Sequence, residues 1–252
     1  MINEILIGDC LELMQQIPDS SIDMLLCDLP YGTTQCKWDT PLPLGELWAQ
    51  YNRVCKKNAA MIFTSAQPFT SALIMSNPKY FKYTWVWEKS KATGYLNAKK
   101  MPMRAHEDVC VFYRKPPTYN PQMTQGEPYN KGKAHRPTAV YGSQVETLVK
   151  NDSGLRYPRT VQYFKTAESE GKKSVIHPTQ KPVALFEYLI RTYSDPGEVV
   201  LDSCIGSGTT AIAALKANRK FIGFELDPIY GKAAQERLTK FINDNKKEND
   251  NG

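Results

Sequence analysis

The sequence predicts an α/β protein, a mostly parallel β-sheet with helices on both faces and one inserted basic region. Three observations lead there. Strand-like and helix-like segments alternate in the first and last parts of the chain. The periodicity lapses in the middle. Two strands run straight into polar, glycine-containing turns, at DLPYGTT (28–34) and LDSCIGSGTT (201–210).

The elements follow in order. EILI (4–7) reads as a strand, and CLELMQQI after it has helical spacing until Pro18 to Ser21 stop it. IDMLLC (22–27) is a continuous apolar run suited to a buried strand. LGELWAQYNRVCK (44–56) is spaced as a helix, AAMIFTS (59–65) as a strand and PFTSALIMSN (68–77) as a helix. YTWVWEKS (83–90) alternates as a strand should, and EDVCVFYRK (107–115) gives another. From residue 116 to about Ser174, Pro, Gly, Asn, Tyr and Lys dominate; a loop so long is uncommon in a compact domain unless it is functional or disordered. In HPTQKPVALFEYLIRTYS (177–194), Ala184, Leu185, Tyr188, Leu189 and Thr192 share one helical face. VVLD then reads as a strand, SGTTAIAALKAN (207–218) as a helix, KFIGFELD (220–227) as a strand and IYGKAAQERLTKFIND (229–244) as a last helix before a polar, frayed tail. The expected organisation is one domain in two halves, 1–115 and 176–252, separated by an insert at 116–175.

A chain of 252 residues, 41% hydrophobic and 23% charged, can bury a sizeable core. It holds no apolar run near the ~20 residues of a membrane span, and its first residues lack a basic region followed by an apolar one, so a cytosolic protein without a membrane partner is expected. Six cysteines form no CxxC and three histidines no HExxH, which argues against a metal site and for reduced thiols. The net charge of +6 is uneven. Residues 82–181 carry 18 Lys/Arg against 8 Asp/Glu, a net +10, so the middle of the chain is suited to a polyanion.

DLPYGTT alone reads either as a turn or as chemistry, because ligands of open α/β sheets bind at the carboxyl ends of strands. At the second junction, Gly206 and Gly208 let a ligand approach the backbone where a helix N-terminus offers unpaired N–H groups. That geometry suits a phosphate, a carboxylate or the methionine end of S-adenosylmethionine (AdoMet); a tight turn made only for packing is the plain alternative. Two acids help to choose. Asp202 sits where a dinucleotide pyrophosphate would be repelled and a sulfonium or ammonium attracted. Glu225, 19 residues after Gly206, ends the next strand, where an acid can accept from ribose hydroxyls.

With these motifs together, the sequence resembles the DNA amino-methyltransferases in their β-group motif order. DLPY resembles the family's catalytic tetrapeptide, LDSCIGSGTT its AdoMet loop, GFELDP its ribose-binding strand, and HPTQKP the segment before the following helix. The likeness spans residues 5 to about 235 apart from the insert. Leu29 departs from the usual proline, and Cys204 stands where phenylalanine is common, which removes an aromatic wall near the cofactor.

The resemblance implies a Rossmann-like AdoMet-dependent methyltransferase with a target-recognition insert, acting on DNA. Asp28 and a main-chain carbonyl of Leu29 or Pro30 would accept the hydrogens of an exocyclic amine, with Tyr31 stacked on the flipped base. AdoMet would be held by Asp202, Cys204, Gly206, Ser207, Gly208, Thr209, Thr210, Glu225 and Leu226, with His177 and Lys181 shaping its pocket. Asp9 reads either as an acid approaching AdoMet or as a helix cap. Lys131, Lys133, Arg136, Arg156 and Arg159 would face DNA. An aspartate heading the tetrapeptide leans towards adenine N6 over cytosine N4. No cysteine follows a proline, which argues against cytosine carbon-5 chemistry. The resemblance also allows a homodimer and a companion restriction enzyme. An inactive DNA-binding regulator of the same fold is the rival reading, disfavoured by the intact Asp28, Pro30, Tyr31 and Asp202.

Overall fold

The computed structural model describes residues 1–33, 39–134, 142, 147–170, 175–176 and 179–250. The chain forms two compact units, one of residues 1–120 and 160–252 and the other of residues 121–159.

The larger unit is built on an eight-stranded sheet. Its strands are β1 (Glu4–Ile7), β2 (Ile22–Cys27), β3 (Cys55–Ser65), β4 (Phe81–Thr93), β5 (Arg104–Phe112), β10 (Val161–Phe164), β11 (Val199–Asp202) and β12 (Lys220–Glu225), in the order β1-β12-β11-β2-β3-β5-β4-β10. Only β5 runs against the others. The helices are α1 (Cys10–Met14), α2 (Leu44–Val54), α3 (Phe69–Ser76), α4 (Ala167–Glu170), α5 (Val183–Tyr193), α6 (Thr209–Lys216) and α7 (Pro228–Asp250).

Alternate residues of a strand point to opposite faces, and β2 shows the consequence. Met24 and Leu26 pack with α5, α6 and α7 residues such as Leu189, Ala213 and Ala234. Leu25 and Cys27 pack on the other face with Met14, Tyr51 and Leu73 of α1, α2 and α3. The connections through α2 and through α6 therefore leave β2 and β11 on opposite faces and in opposite directions along the sheet. The neighbouring pair β11 and β2 is thus a topological switch point, where a crevice opens beyond the carboxyl ends of the strands.

Several boundaries differ from the sequence-based expectation. The compact unit 121–159 is narrower than 116–175, because Val161–Phe164 pairs in parallel with β4 as an edge strand of the large sheet. The small unit holds two short ladders, β6 (Thr124–Gln125) with β9 (Leu155–Arg156) and β7 (Tyr129–Ala134) with β8 (Thr147–Asn151). Helix α7 continues to Asp250 through the expected frayed tail, since each added residue of a formed helix gains a backbone hydrogen bond. No helix among the described residues is long and apolar enough to cross a membrane, and no group of His, Cys, Asp and Glu among them could hold a metal ion.

Candidate active site

The pairing of β11 with β2 brings the two polar junctions side by side. Val200 lies opposite Met24 and Leu201 opposite Leu25, so the residues just past both strands face one crevice. Cys27 Sγ lies 3.3 Å from Ser203 Oγ, which in turn is 2.6 Å from the Tyr51 hydroxyl. A cavity of about 740 Å³ opens there, lined by Asp28, Tyr31, Lys181, Asp202, Gly206 and Glu225 among others.

Asp28 is held from three sides. Its Oδ1 accepts hydrogen bonds from the Tyr31 hydroxyl at 2.8 Å and from Thr64 Oγ1, and its Oδ2 accepts from Lys181 Nζ at 2.7 Å. Tyr31 is fixed in turn, its ring stacked on Phe69 with centroids 5.1 Å apart. The turn after it is tied down by Asp39, whose carboxylate accepts from the Gly32 and Thr33 N–H groups at 2.8 and 2.9 Å. Leu29 is buried among the apolar residues beneath the junction.

Behind Asp28 runs a chain of alternating charges. Lys181 Nζ also lies 3.5 Å from Glu107 Oε2, and Lys89 Nζ donates to Glu107 Oε1 at 3.1 Å. Burial alone would pull the Lys181 ammonium down, but the Asp28 and Glu107 carboxylates outweigh it and hold its pKa above the usual lysine range. Glu107 answers in kind: burial pushes its carboxyl up, yet Lys181 and Lys89 together hold it below the usual range. Among the described residues its Oε2 has no hydrogen-bond partner, so the 3.5 Å approach of Lys181 is a charge contact. Thr64, Lys89 and Glu107 were not singled out from the sequence. For Lys89 and Glu107 the available signal is a charged residue at a strand position otherwise reading as apolar; Thr64 carries none.

The second junction is built differently. Gly206 and Gly208 have φ of +52° and +77°, a left-handed conformation that a side chain disfavours. Asp202 is buried; its Oδ1 accepts from Cys204 N at 3.0 Å and its Oδ2 from the Thr210 hydroxyl. Among the described residues it makes no ion pair, and burial pushes its carboxyl up to about 7. Glu225 accepts from Gly206 N through Oε2 and from Asp227 N through Oε1, both at 2.9 Å, and burial raises it as well. Ser207 and Thr209 are buried with their hydroxyls 3.2 Å apart, and Arg237 of α7 donates to Ser207 O at 2.8 Å. Cys204 packs against the Cys10 and Cys27 thiols, whose contact and burial raise its pKa well above normal. Leu226 is exposed at the cavity edge.

The remaining expected residues are placed as follows. Lys181 lines the cavity with Asp202, Gly206 and Glu225; its ammonium lies on Asp28, and its carbonyl accepts from Thr209 Oγ1 at 3.1 Å, tying the two junctions together. Asp9 lines the cavity and caps α1, its Oδ1 accepting from Leu11 N at 2.7 Å. Arg156 is engaged within its own unit: it donates to Gly154 O and Glu127 O, and its guanidinium lies 4.7 Å from the Tyr129 ring centroid. Lys131, over the same ring at 5.2 Å, is exposed, as are Lys133 and Arg159. His177 and Arg136 lie outside the described residues.

A mainly parallel sheet with a single reversed strand, a glycine-bearing loop after β11 and an acid ending β12 define the Rossmann-like fold of AdoMet-dependent methyltransferases. Comparison with known proteins narrows the class. The DNA methylase model for N6 and N4 methyltransferases matches residues 22–236, and the chain belongs to that family. The DNA adenine methyltransferase YhdJ of Escherichia coli (strain K12) is 29% identical over 248 residues, covering 92% of this chain and 81% of YhdJ. The solved structure of an M1.HpyAVI–SAM complex has a TM-score of 0.64 at 23% identity, covering 93% of this chain and 98% of that one. The cytosine-N4-specific PvuII DNA methyltransferase also has a TM-score of 0.64, at 20% identity, covering 95% and 90%. These two likenesses show the fold.

Proposed function

We propose that this DNA methyltransferase is site-specific, uses AdoMet, and methylates the exocyclic N6 of an adenine that has been flipped out of the helix. The observation that carries the reading is the convergence of Asp28 and Asp202 on one cavity from neighbouring parallel strands.

The residues present fit AdoMet. Asp202 is a buried carboxylate without an ion pair among the described residues, and its environment suits a cationic ligand group. Glu225 lies beside a glycine loop whose backbone can be approached closely, as a ribose requires. When bound, AdoMet supplies a methyl group already activated by its sulfonium.

The chain's own task is to make a poor nucleophile competent. The lone pair of an exocyclic amine is delocalised into the ring. Asp28, oriented by Lys181, Thr64 and Tyr31, accepts one amine hydrogen, and a main-chain carbonyl of Leu29 or Pro30 accepts the other. The nitrogen is drawn towards tetrahedral geometry and its lone pair is freed. Tyr31, clamped by Phe69 and Asp28, is a preorganised platform for stacking on the base, a contact worth ~1–3 kcal/mol against a flipping cost of a few kcal/mol. The insert serves target recognition, with Lys131, Lys133 and Arg159 holding phosphates and Arg156 bracing the unit.

Adenine is preferred over cytosine because an aspartate heads the tetrapeptide, and YhdJ is described as an adenine methyltransferase. The test is incubation with tritiated AdoMet and DNA of varied sequence, digestion to nucleosides and chromatography. Label in N6-methyladenine is expected. Label only in N4-methylcytosine would overturn the choice of base, and no label in any nucleoside would overturn the reading itself.

A further inference from the structure

The β4–β5 hairpin exposes apolar side chains beside the cavity. Beyond the pair Thr93 and Arg104, the chain turns through Gly94 at φ +88° into a 3₁₀ turn at Tyr95–Asn97 before returning. Tyr95 and Leu96 are 73% and 83% exposed, and Met101 and Met103 are exposed too. Residues 89–106 contain five Lys/Arg and no Asp/Glu. Lys89 is buried against Glu107 and Lys91 reaches Glu168, while Lys99, Lys100 and Arg104 are exposed around the apolar tip. Lys91, Thr93, Arg104 and His106 at the hairpin's base line the same cavity as Asp28.

An exposed apolar patch marks a surface that something covers, and an acid-free cationic rim selects a polyanion. A second copy of the chain would bring the same unbalanced cations to the contact. We propose that the hairpin is a wedge for duplex DNA: Tyr95 and Leu96 enter the gap left in the base stack by the extruded nucleotide, and Lys99, Lys100 and Arg104 hold the adjoining phosphates. The inference rests on the DNA methyltransferase reading and adds the element that holds the duplex open. Extrusion leaves a hole one base high, and apolar side chains carried on a paired hairpin can fill it and offset the lost stacking. Single-stranded DNA has no such hole, so it gains little from the wedge.

The experiment compares wild type with the exposed-tip variant Tyr95→Ala/Leu96→Ala, using tritiated AdoMet and one genomic DNA, native or heat-denatured. On native DNA kcat/KM should fall about tenfold or more, and on denatured DNA by less than about threefold. An equal fall on both forms, or no fall on either, would overturn the wedge. So would sedimentation showing that the substitutions split a dimer, because the patch would then be an interface between copies. A wild type that labels neither form would instead remove the underlying reading, an outcome distinct from any difference between variants.

Discussion

Replacing Lys181 by methionine tests the charge chain behind Asp28. The ammonium lies between two carboxylates, 2.7 Å from Asp28 and 3.5 Å from Glu107, with side-chain exposures of 8% for Lys181, 22% for Asp28 and 17% for Glu107. Removing one partner of a buried pair costs about 3–5 kcal/mol. Asp28 keeps part of its surface in water, so the lower end, about 3 kcal/mol, is the better expectation. At ~2–4 °C per kcal/mol for a chain of this size, Tm should fall by roughly 6–12 °C. The deficit should depend on pH in a defined sense. In wild type Glu107 is held below its usual range, so its stabilisation is present above the unfolded carboxylate pKa and is lost as pH falls through the folded value. Without Lys181, burial pushes Glu107 up with only Lys89 opposing, and the carboxyl can relieve its penalty by taking a proton. The Tm deficit of Lys181→Met should therefore be largest near about pH 8 and shrink towards about pH 5. Lys181 itself has the opposite dependence: its contribution is complete below the unfolded lysine pKa of about 10.4 and is lost as pH rises through the raised folded value. Calorimetric scans of both proteins across that range are the assay. A variant within about 2 °C of wild type, or a deficit that does not change with pH, would refute the reasoning.

Three further outcomes follow from the site. Asp28→Ala should lower kcat by about a hundredfold or more while AdoMet affinity stays within a few-fold, and near-normal turnover would remove Asp28 from its role. Asp202 has a carboxyl raised to about 7, so a cationic ligand beside it should drive its ionisation and release protons on binding near neutral pH. Titration calorimetry in two buffers of different ionisation heat should detect that release in wild type and miss it in Asp202→Asn; equal proton release from both would contradict it. Gly223→Ala would drive its new Cβ into Ile205 Cδ1, an overpacking worth about 1–3 kcal/mol, read as a Tm lower by several degrees. An unchanged Tm would mean that Ile205 yields freely.

Much of the fold was legible in the sequence because its strands are buried on both faces. IDMLLC and AAMIFTS read as continuous apolar runs, and each became a central strand. β10 was missed for the opposite reason: in VQYF, Val161 and Tyr163 are exposed, and an edge strand with one wet face carries a weak local signal inside a polar stretch. The last residues of β4, Lys91 to Thr93, were missed too, because they extend past the core and are held at Thr93 by pairing with Arg104 of β5. In the site, glycine spacing and strand-end acids mark the two junctions. Thr64, which donates to Asp28, and Glu107, which contacts Lys181, carry no such mark: the first sits in a strand of ordinary composition and the second begins a segment that reads as a plain strand.

The sequence by itself determined the elements and the chemical types at strand ends, since periodicity, glycine conformation and carboxylates are local properties. Only the tertiary structure decided which of those ends meet. Lys181 lies 153 residues from Asp28 along the chain, and no periodicity links them. The pairing of β11 beside β2, and the hydrogen bond of Thr209 Oγ1 to the Lys181 carbonyl, place that ammonium on the carboxylate. Charge partners are chosen by distance in space, and distance in space is fixed by the order of strands in the sheet.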